Sequence, residues 1–127
     1  MENKHGVLYV ALGPAYAVMA MVSINSLRIF SDVPISIIID KSTADILKLP
    51  ELDNVITIDN FIEDNRLIKS KIFDLSPYEN TLYVDCDTII RANIIDCFDY
   101  LKYFDIAVKQ RQKAYPAVGK GALKIFN

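Results

Sequence analysis

Two carboxylates, Asp85 and Asp87, lie one residue apart directly after a short apolar segment. In an extended segment alternate side chains share a face, so both carboxylates point the same way while Cys86 points toward the sheet. Two such charges repel each other unless a cation lies between them, and Mg²⁺ or Mn²⁺ bound by carboxylates and substrate phosphates suits this arrangement. The ion would neutralise charge on a departing diphosphate. An Asp-x-Asp alone is also typical of a solvated turn, but the apolar segment in front of it favours a binding site.

The segments that must position this pair alternate between strand-like and helix-like patterns. Strands are predicted at residues 7–12, 35–39, 55–58, 81–84, 106–109 and 122–126. Helices are predicted at residues 16–26, 42–49, 65–75 and 94–103, the second of them capped by Ser42 or Thr43. This alternation predicts an α/β protein with a mainly parallel, doubly wound sheet and helices on both faces. Ligands of such sheets bind at the carboxyl ends of the strands, which is where Asp85 and Asp87 lie.

The composition limits the class of protein. With 127 residues, of which 52% are hydrophobic, the chain suffices for one compact domain over residues 1–127. Its net charge of -2 provides no overall positive field for nucleic acid or an anionic membrane. The apolar runs are far shorter than the roughly 20 residues of a membrane span, and the start lacks the features of a secretory signal, so we expect a cytoplasmic protein. One histidine is too few for a zinc site, and two cysteines do not suggest a disulfide framework.

The order of the motifs resembles that of metal-dependent glycosyltransferases of the GT-A type, in particular the glycogenin-like, family 8-like enzymes. The chain carries VLYVALGPAYA at residues 7–17, a lysine at position 69 followed by Ser76-Pro77, TLYVDCDT at residues 81–88 and ANIIDCF at residues 92–98. In that family these stretches are the first strand with a tyrosine in its turn, a helix that contains a lysine, and the metal motif with its continuation. The resemblance covers nearly the whole chain.

The resemblance implies a Rossmann-like fold that binds a nucleotide-sugar, with a UDP-sugar as the favoured donor and Mn²⁺ or Mg²⁺ on its diphosphate. It places the metal at Asp85 and Asp87. The residues that it places at the nucleotide-sugar are Leu12, Gly13, Tyr16, Arg66, Lys69, Asp85 and Cys86. Leu12, Gly13 and Tyr16 would form the base pocket. Core packing is an equal alternative for Tyr16, and a solvated helix face is the alternative for Arg66 and Lys69.

The sequence also departs from the family. Related enzymes take a further metal ligand, usually a histidine, and their acceptor-binding residues from the second half of the fold, and the chain carries neither. We therefore expect residues 1–127 to be the N-terminal half of a GT-A domain. Such a half would expose the edge of the predicted strand 122–126, which predicts a homo-oligomer.

Other functions are compatible with parts of the pattern. The main alternative is a catalytically inactive nucleotide-binding or interaction module with a GT-A half fold. Asp85-Cys86-Asp87-Thr88 is also similar to the nucleophile strand of haloacid-dehalogenase-like phosphatases, but that motif belongs near the start of its fold. A nucleotidyltransferase would need a glycine-rich, basic loop after the first strand, and Gly13-Pro14-Ala15 does not supply one.

Overall fold

The computed structural model describes residues 4–49, 51–59, 68 and 71–108. The described strands are β1 (His5–Ala11), β2 (Ile35–Asp40), β3 (Asn54–Ile58) and β4 (Asn80–Tyr83). The described helices are α1 (Pro14–Arg28), α2 (Lys41–Ile46), α3 (Ile72–Leu75) and a 3₁₀ helix (Ile95–Lys102). Ile68 is also helical. The predicted strand 122–126, and with it the expected oligomer contact, lies outside the described residues, as do residues 65–67, 69 and 70 of the predicted helix 65–75.

The four strands form one sheet in which all neighbours are parallel, in the order β3-β2-β1-β4. The chain builds the sheet outward from β1 through β2 to β3 and then returns to place β4 on the other side of β1. The direction of strand order therefore reverses between β1 and β4. The arrangement is α/β and Rossmann-like, which confirms the predicted fold class.

Alternation along β1 directs its side chains into two separate cores. Tyr9 and its alternate neighbours pack against α1 on one face. Leu8 and Val10 pack against Ile68 and Ile72 on the other face. Because both faces are covered, β1 is buried from Gly6 onward and β2 is buried throughout, which is why these strands are almost continuously apolar.

Helix α1 starts at the carboxyl end of β1 and lies against the sheet through small side chains. Pro14 occupies the beginning of the helix, where its fixed φ and missing N–H are tolerated. The buried positions are Ala17, Ala20, Ser23, Ile24 and Leu27. The two small alanine side chains let the first turns of the helix pack closely on β1.

Across the described ranges, no helix combines the length and apolar character needed to cross a membrane.

The start of α2 differs from its prediction. Asp40, rather than Ser42 or Thr43, caps this helix, which runs only from Lys41 to Ile46. Ser42 and Thr43 instead lie in the first turn and donate hydrogen bonds back to Asp40. Ser42 and Thr43 therefore mark a helix start as predicted, but the capping residue is Asp40, which precedes them.

Two later elements differ as well. Where the sequence predicts an α-helix over residues 94–103, the structure has a 3₁₀ helix. The sequence pattern does not separate the two, because Phe98 and Leu101, three residues apart, reach the core in either helical geometry. The predicted strand 106–109 is wrong in its described part, where residue 106 forms only an isolated bridge. The Ile106 side chain is half exposed, so it lacks the burial that stabilises an interior strand.

Gly6 in β1 allows the ring of Tyr78 to pack directly on the backbone. A Cβ at residue 6 would overlap the atoms of that ring. The ring has little room to move, because Tyr78 is buried and its hydroxyl is hydrogen-bonded to Ser36 in β2. The contact fixes the segment that leads into β4 against β1.

We expect Gly6→Ala to lower the free energy of unfolding by about 2 kcal/mol, because the added methyl group overpacks a buried contact. Urea denaturation of the two proteins measures the difference. In a Tyr78→Leu background the same substitution should cost much less, since the ring is gone. An equal cost in both backgrounds would show that the clash is not the cause.

Candidate functional site

The acidic pair lies at the carboxyl edge of the sheet, beside the end of β1. Strand β4 ends at Tyr83, and the Val84 amide donates to the Leu8 carbonyl at 3.1 Å. The chain then forms what we call the acidic turn, residues 85–88. Asp85 and Asp87 are exposed, while Cys86 between them is buried and its thiol lies 3.0 Å from the Val10 carbonyl. The turn therefore presents two carboxylates to solvent and anchors itself through Cys86.

Two hydroxyl groups orient Asp85. The Tyr83 hydroxyl donates to Oδ1 of Asp85 at 2.8 Å. The Thr88 hydroxyl donates to the Asp85 backbone carbonyl at 2.7 Å and so closes the acidic turn. Both the side chain and the main chain of Asp85 are consequently held before any ligand arrives.

Helix α1 also holds the acidic turn. The hydroxyl oxygens of Tyr9 and Ser23 are 2.8 Å apart, and Ser23 lies 3.0 Å from the hydroxyl of Thr88. Burial raises the pKa of Tyr9, although its bond to Ser23 acts in the opposite direction, so this phenol keeps its proton. Further along the helix, Ser26 accepts the Ile90 amide at 2.8 Å.

Asp40 is an acidic residue of a different kind at the same edge. It ends β2 at 2% relative exposure, and its Oδ1 accepts the Gly13 amide at 2.8 Å. Its Oδ2 accepts the Ser42 hydroxyl together with the amide and hydroxyl of Thr43. Burial alone would raise the pKa, but these hydrogen bonds outweigh it and lower the pKa from 3.8 to about 2. Asp40 therefore stays ionised and ties the turn after β1 to the start of α2.

The backbone conformation at residue 13 requires a glycine. Its φ of 90° and ψ of 157° lie in a region that is essentially limited to glycine. In this conformation its amide points at Asp40 while its carbonyl accepts the Ala17 amide at 3.1 Å, the first bond of α1. The bare backbone at this point lets a ligand approach the edge of the sheet closely.

The structure separates the residues predicted to bind the nucleotide-sugar. Tyr16 is 46% exposed at the start of α1, which rules out core packing as its role. Leu12 is buried on the Ile68 face and Cys86 is buried on the opposite face, so only their backbone atoms can reach a ligand. Arg66 and Lys69 lie outside the described residues.

The residues that sequence reasoning missed are Asp40 and the hydroxyl groups of Ser23, Ser26 and Thr88. Asp40 had a usable signal, because an aspartate at the end of an apolar strand followed by Ser42 and Thr43 is typical of a helix cap. Ser23 and Thr88 are 65 positions apart, and no local pattern connects them.

The described ranges contain no group of three or more His, Cys, Asp or Glu side chains that could hold a metal ion. The acidic turn offers two carboxylates, which are hard oxygen donors. That donor set fits Mg²⁺ or Mn²⁺, ions that keep several water or phosphate oxygens as ligands, better than it fits a metal that needs a complete protein cage.

A polar recess of about 420 Å³ lies at the opposite, amino-terminal edge of the sheet. Two of its charged side chains, Arg28 and Asp53, have structural roles. Arg28 lies 3.4 Å from Asp53, and Asp53 accepts the Ile35 amide at 2.7 Å. The recess therefore fixes the start of β2 and offers less for ligand chemistry than the carboxyl edge does.

Comparison of the sequence with models of protein families and with curated proteins finds no match.

The lowered pKa of Asp40 gives a defined pH dependence. Because folding favours the carboxylate, a stabilisation of about 2 kcal/mol is present above the unfolded pKa of 3.8 and is lost as the pH falls through about 2. Asp40→Asn should abolish this acid-dependent loss and lower stability at neutral pH by about 3 kcal/mol, since an amide cannot accept all of the hydrogen bonds. Chemical denaturation between neutral and acidic pH measures both effects.

The matched control is Asp45→Asn, at an exposed position in α2. It should leave stability almost unchanged. An Asp40→Asn protein that is as stable as the wild type at neutral pH would show that the buried carboxylate is not an anchor.

Proposed function

We propose that this protein is a metal-dependent glycosyltransferase of the GT-A type, in which the described domain binds the nucleotide-sugar donor, preferably a UDP-sugar. The observation that carries the proposal is the exposed pair Asp85 and Asp87 at the carboxyl edge of a parallel sheet, directly beside the end of β1. The resemblance of the motifs to glycogenin-like enzymes supports the same function.

The topology supports a ligand at this position. In open α/β sheets, ligands bind outside the carboxyl ends of the strands where the direction of strand order reverses. Here that point lies between β1 and β4, and it is flanked by Gly13 on one side and the acidic turn on the other. A nucleotide in this crevice would span both strands.

The two sides of the crevice suit different parts of a nucleotide-sugar. The exposed ring of Tyr16 offers an aromatic face to the base. Asp85 and Asp87 would hold Mn²⁺ or Mg²⁺, and the ion would supply positive charge against the diphosphate when bound. Tyr83 and Thr88 orient Asp85 for this role. Lys69 would lie near the sugar or diphosphate, and Arg66 would share its helix face.

Glycosyl transfer also requires an acceptor held at the sugar, because positioning both reactants supplies much of the rate. Transfer assays separate an enzyme from the alternative of a nucleotide-binding module, since the module would bind donor but release no product other than by slow hydrolysis.

We expect UDP to bind in the presence of Mn²⁺ and at least about tenfold more weakly in EDTA, which corresponds to about 1.4 kcal/mol. The reason is that the diphosphate and two carboxylates repel each other without a cation between them. Titration calorimetry in both conditions measures the difference. Identical affinities would remove the metal from the proposal.

The acidic pair should account for that metal dependence. Asp85→Asn with Asp87→Asn should abolish the Mn²⁺ effect and leave the melting temperature unchanged or higher, because like-charge repulsion is relieved. Asp32→Asn is the control, since Asp32 is exposed just before β2 at the opposite edge. A Mn²⁺ effect that survives in the double variant would place the metal elsewhere.

A further inference from the structure

The three hydroxyl groups that join β1, α1 and the acidic turn form a chain with a defined direction. A carbonyl oxygen can only accept, so Thr88 donates its single hydroxyl hydrogen to the Asp85 carbonyl. Thr88 must then accept from Ser23, and Ser23 must accept from Tyr9. Every hydroxyl hydrogen in the chain is therefore directed toward the acidic turn, and successive bonds of this kind strengthen one another.

A second contact from α1 holds the chain just beyond the acidic turn. Ser26 donates its hydroxyl hydrogen to the Ser23 carbonyl at 2.6 Å and accepts the Ile90 amide at 2.8 Å. Ser23 and Ser26 lie one helical turn apart, so one face of α1 holds the chain at Thr88 and again at Ile90.

These contacts hold the chain beyond the last backbone hydrogen bond between β4 and β1. Strand β4 ends at Tyr83, and the Val84 amide makes the last backbone bond to β1 before the acidic turn. Within the acidic turn, the Thr88 hydroxyl holds the Asp85 carbonyl and the Cys86 thiol lies on the Val10 carbonyl. The interior end of the chain is rigid, because Tyr9 and Ser23 are fully buried.

We propose that Ser23, Ser26 and Thr88 are positioning residues for the acidic turn: they do not hold the metal ion, but fix the backbone from which Asp85 and Asp87 project. This inference rests on the proposed function. Carboxylates that are ordered in advance bind an ion more tightly, because no conformational entropy is lost in ordering them when the ion binds. Helix α1 thereby contributes to both sides of the crevice, with Tyr16 at its start and the serines further along.

Thr88→Val tests the proposal, because it keeps the shape of the side chain and removes its donor. In the presence of Mn²⁺ we expect the affinity for UDP to fall about fivefold to tenfold, the loss equivalent to one hydrogen bond. Thr88→Ser keeps the hydroxyl and should restore the affinity. Tyr9→Phe is the comparison variant: it removes the buried end of the chain but leaves the bonds from Ser23 to Thr88 and from Thr88 to Asp85 in place, so its loss of affinity should be smaller than that of Thr88→Val.

Amide hydrogen exchange of the metal-free protein gives a readout that is independent of ligand. Thr88→Val should increase exchange at residues 85–88 while the amides of β1 and β2 keep their protection. If Thr88→Val shows the same exchange in the acidic turn as the wild type, or the same affinity for UDP in the presence of Mn²⁺, the positioning role is overturned. Equal losses in Tyr9→Phe and Thr88→Val would also overturn it, since they would reflect stability in general. If the wild-type protein binds no UDP with Mn²⁺, the proposed function fails, and the exchange experiment still decides whether Thr88 orders the turn.

Discussion

The burial of β1 on both faces is the constraint on which the rest of the structure depends. A strand in this position needs a hydrogen-bonded neighbour on each side and a covering layer above and below. Strands β2 and β4 provide the neighbours, α1 covers one face, and Ile68 and Ile72 cover the other. Because β4 completes the pairing of β1, the turn that follows β4 must lie beside the turn that follows β1. The position of the candidate site is therefore a consequence of how the core is built.

The carboxyl edge uses one type of side chain for two purposes. Asp40 is buried, accepts hydrogen bonds from Gly13, Ser42 and Thr43, and acts as an internal anchor. Asp85 and Asp87 are exposed one strand beyond β1 and remain accessible to a cation. Solvation and the number of donors decide which role each carboxylate takes. A buried carboxylate that already accepts four hydrogen bonds has little left to offer a metal ion.

The α/β fold class could be predicted from the sequence because the strand and helix patterns that build the sheet are local. Continuous apolar strands such as β2 have to be covered on both faces, and their alternation with helical segments predicts a parallel sheet. Alternation in an extended segment predicts Asp85 and Asp87 on the side opposite Cys86; residues 86 and 87 form a turn instead, although both aspartates are exposed and Cys86 is buried. Contacts between distant hydroxyl groups, such as Ser23 with Thr88, could not be predicted, because a serine on a buried helix face has the same local pattern whether or not it has a partner. The type of helix at Ile95–Lys102 was also beyond the pattern, since both geometries bury the same residues.

The parallel pairing of β1 with β4 has a consequence for the order of folding. His5 pairs with Asn80, and the side chains of these residues, 75 positions apart, also form a hydrogen bond. During synthesis, β1, α1 and β2 are complete long before β4 leaves the ribosome, and contacts between distant residues form slowly because they close large loops. One edge of β1 therefore stays unpaired until β4, the strand that precedes the acidic turn, is added. The nascent chain therefore completes β1, α1 and β2 before the acidic turn takes its position, and no intermediate that lacks β4 can present the two carboxylates in their final place.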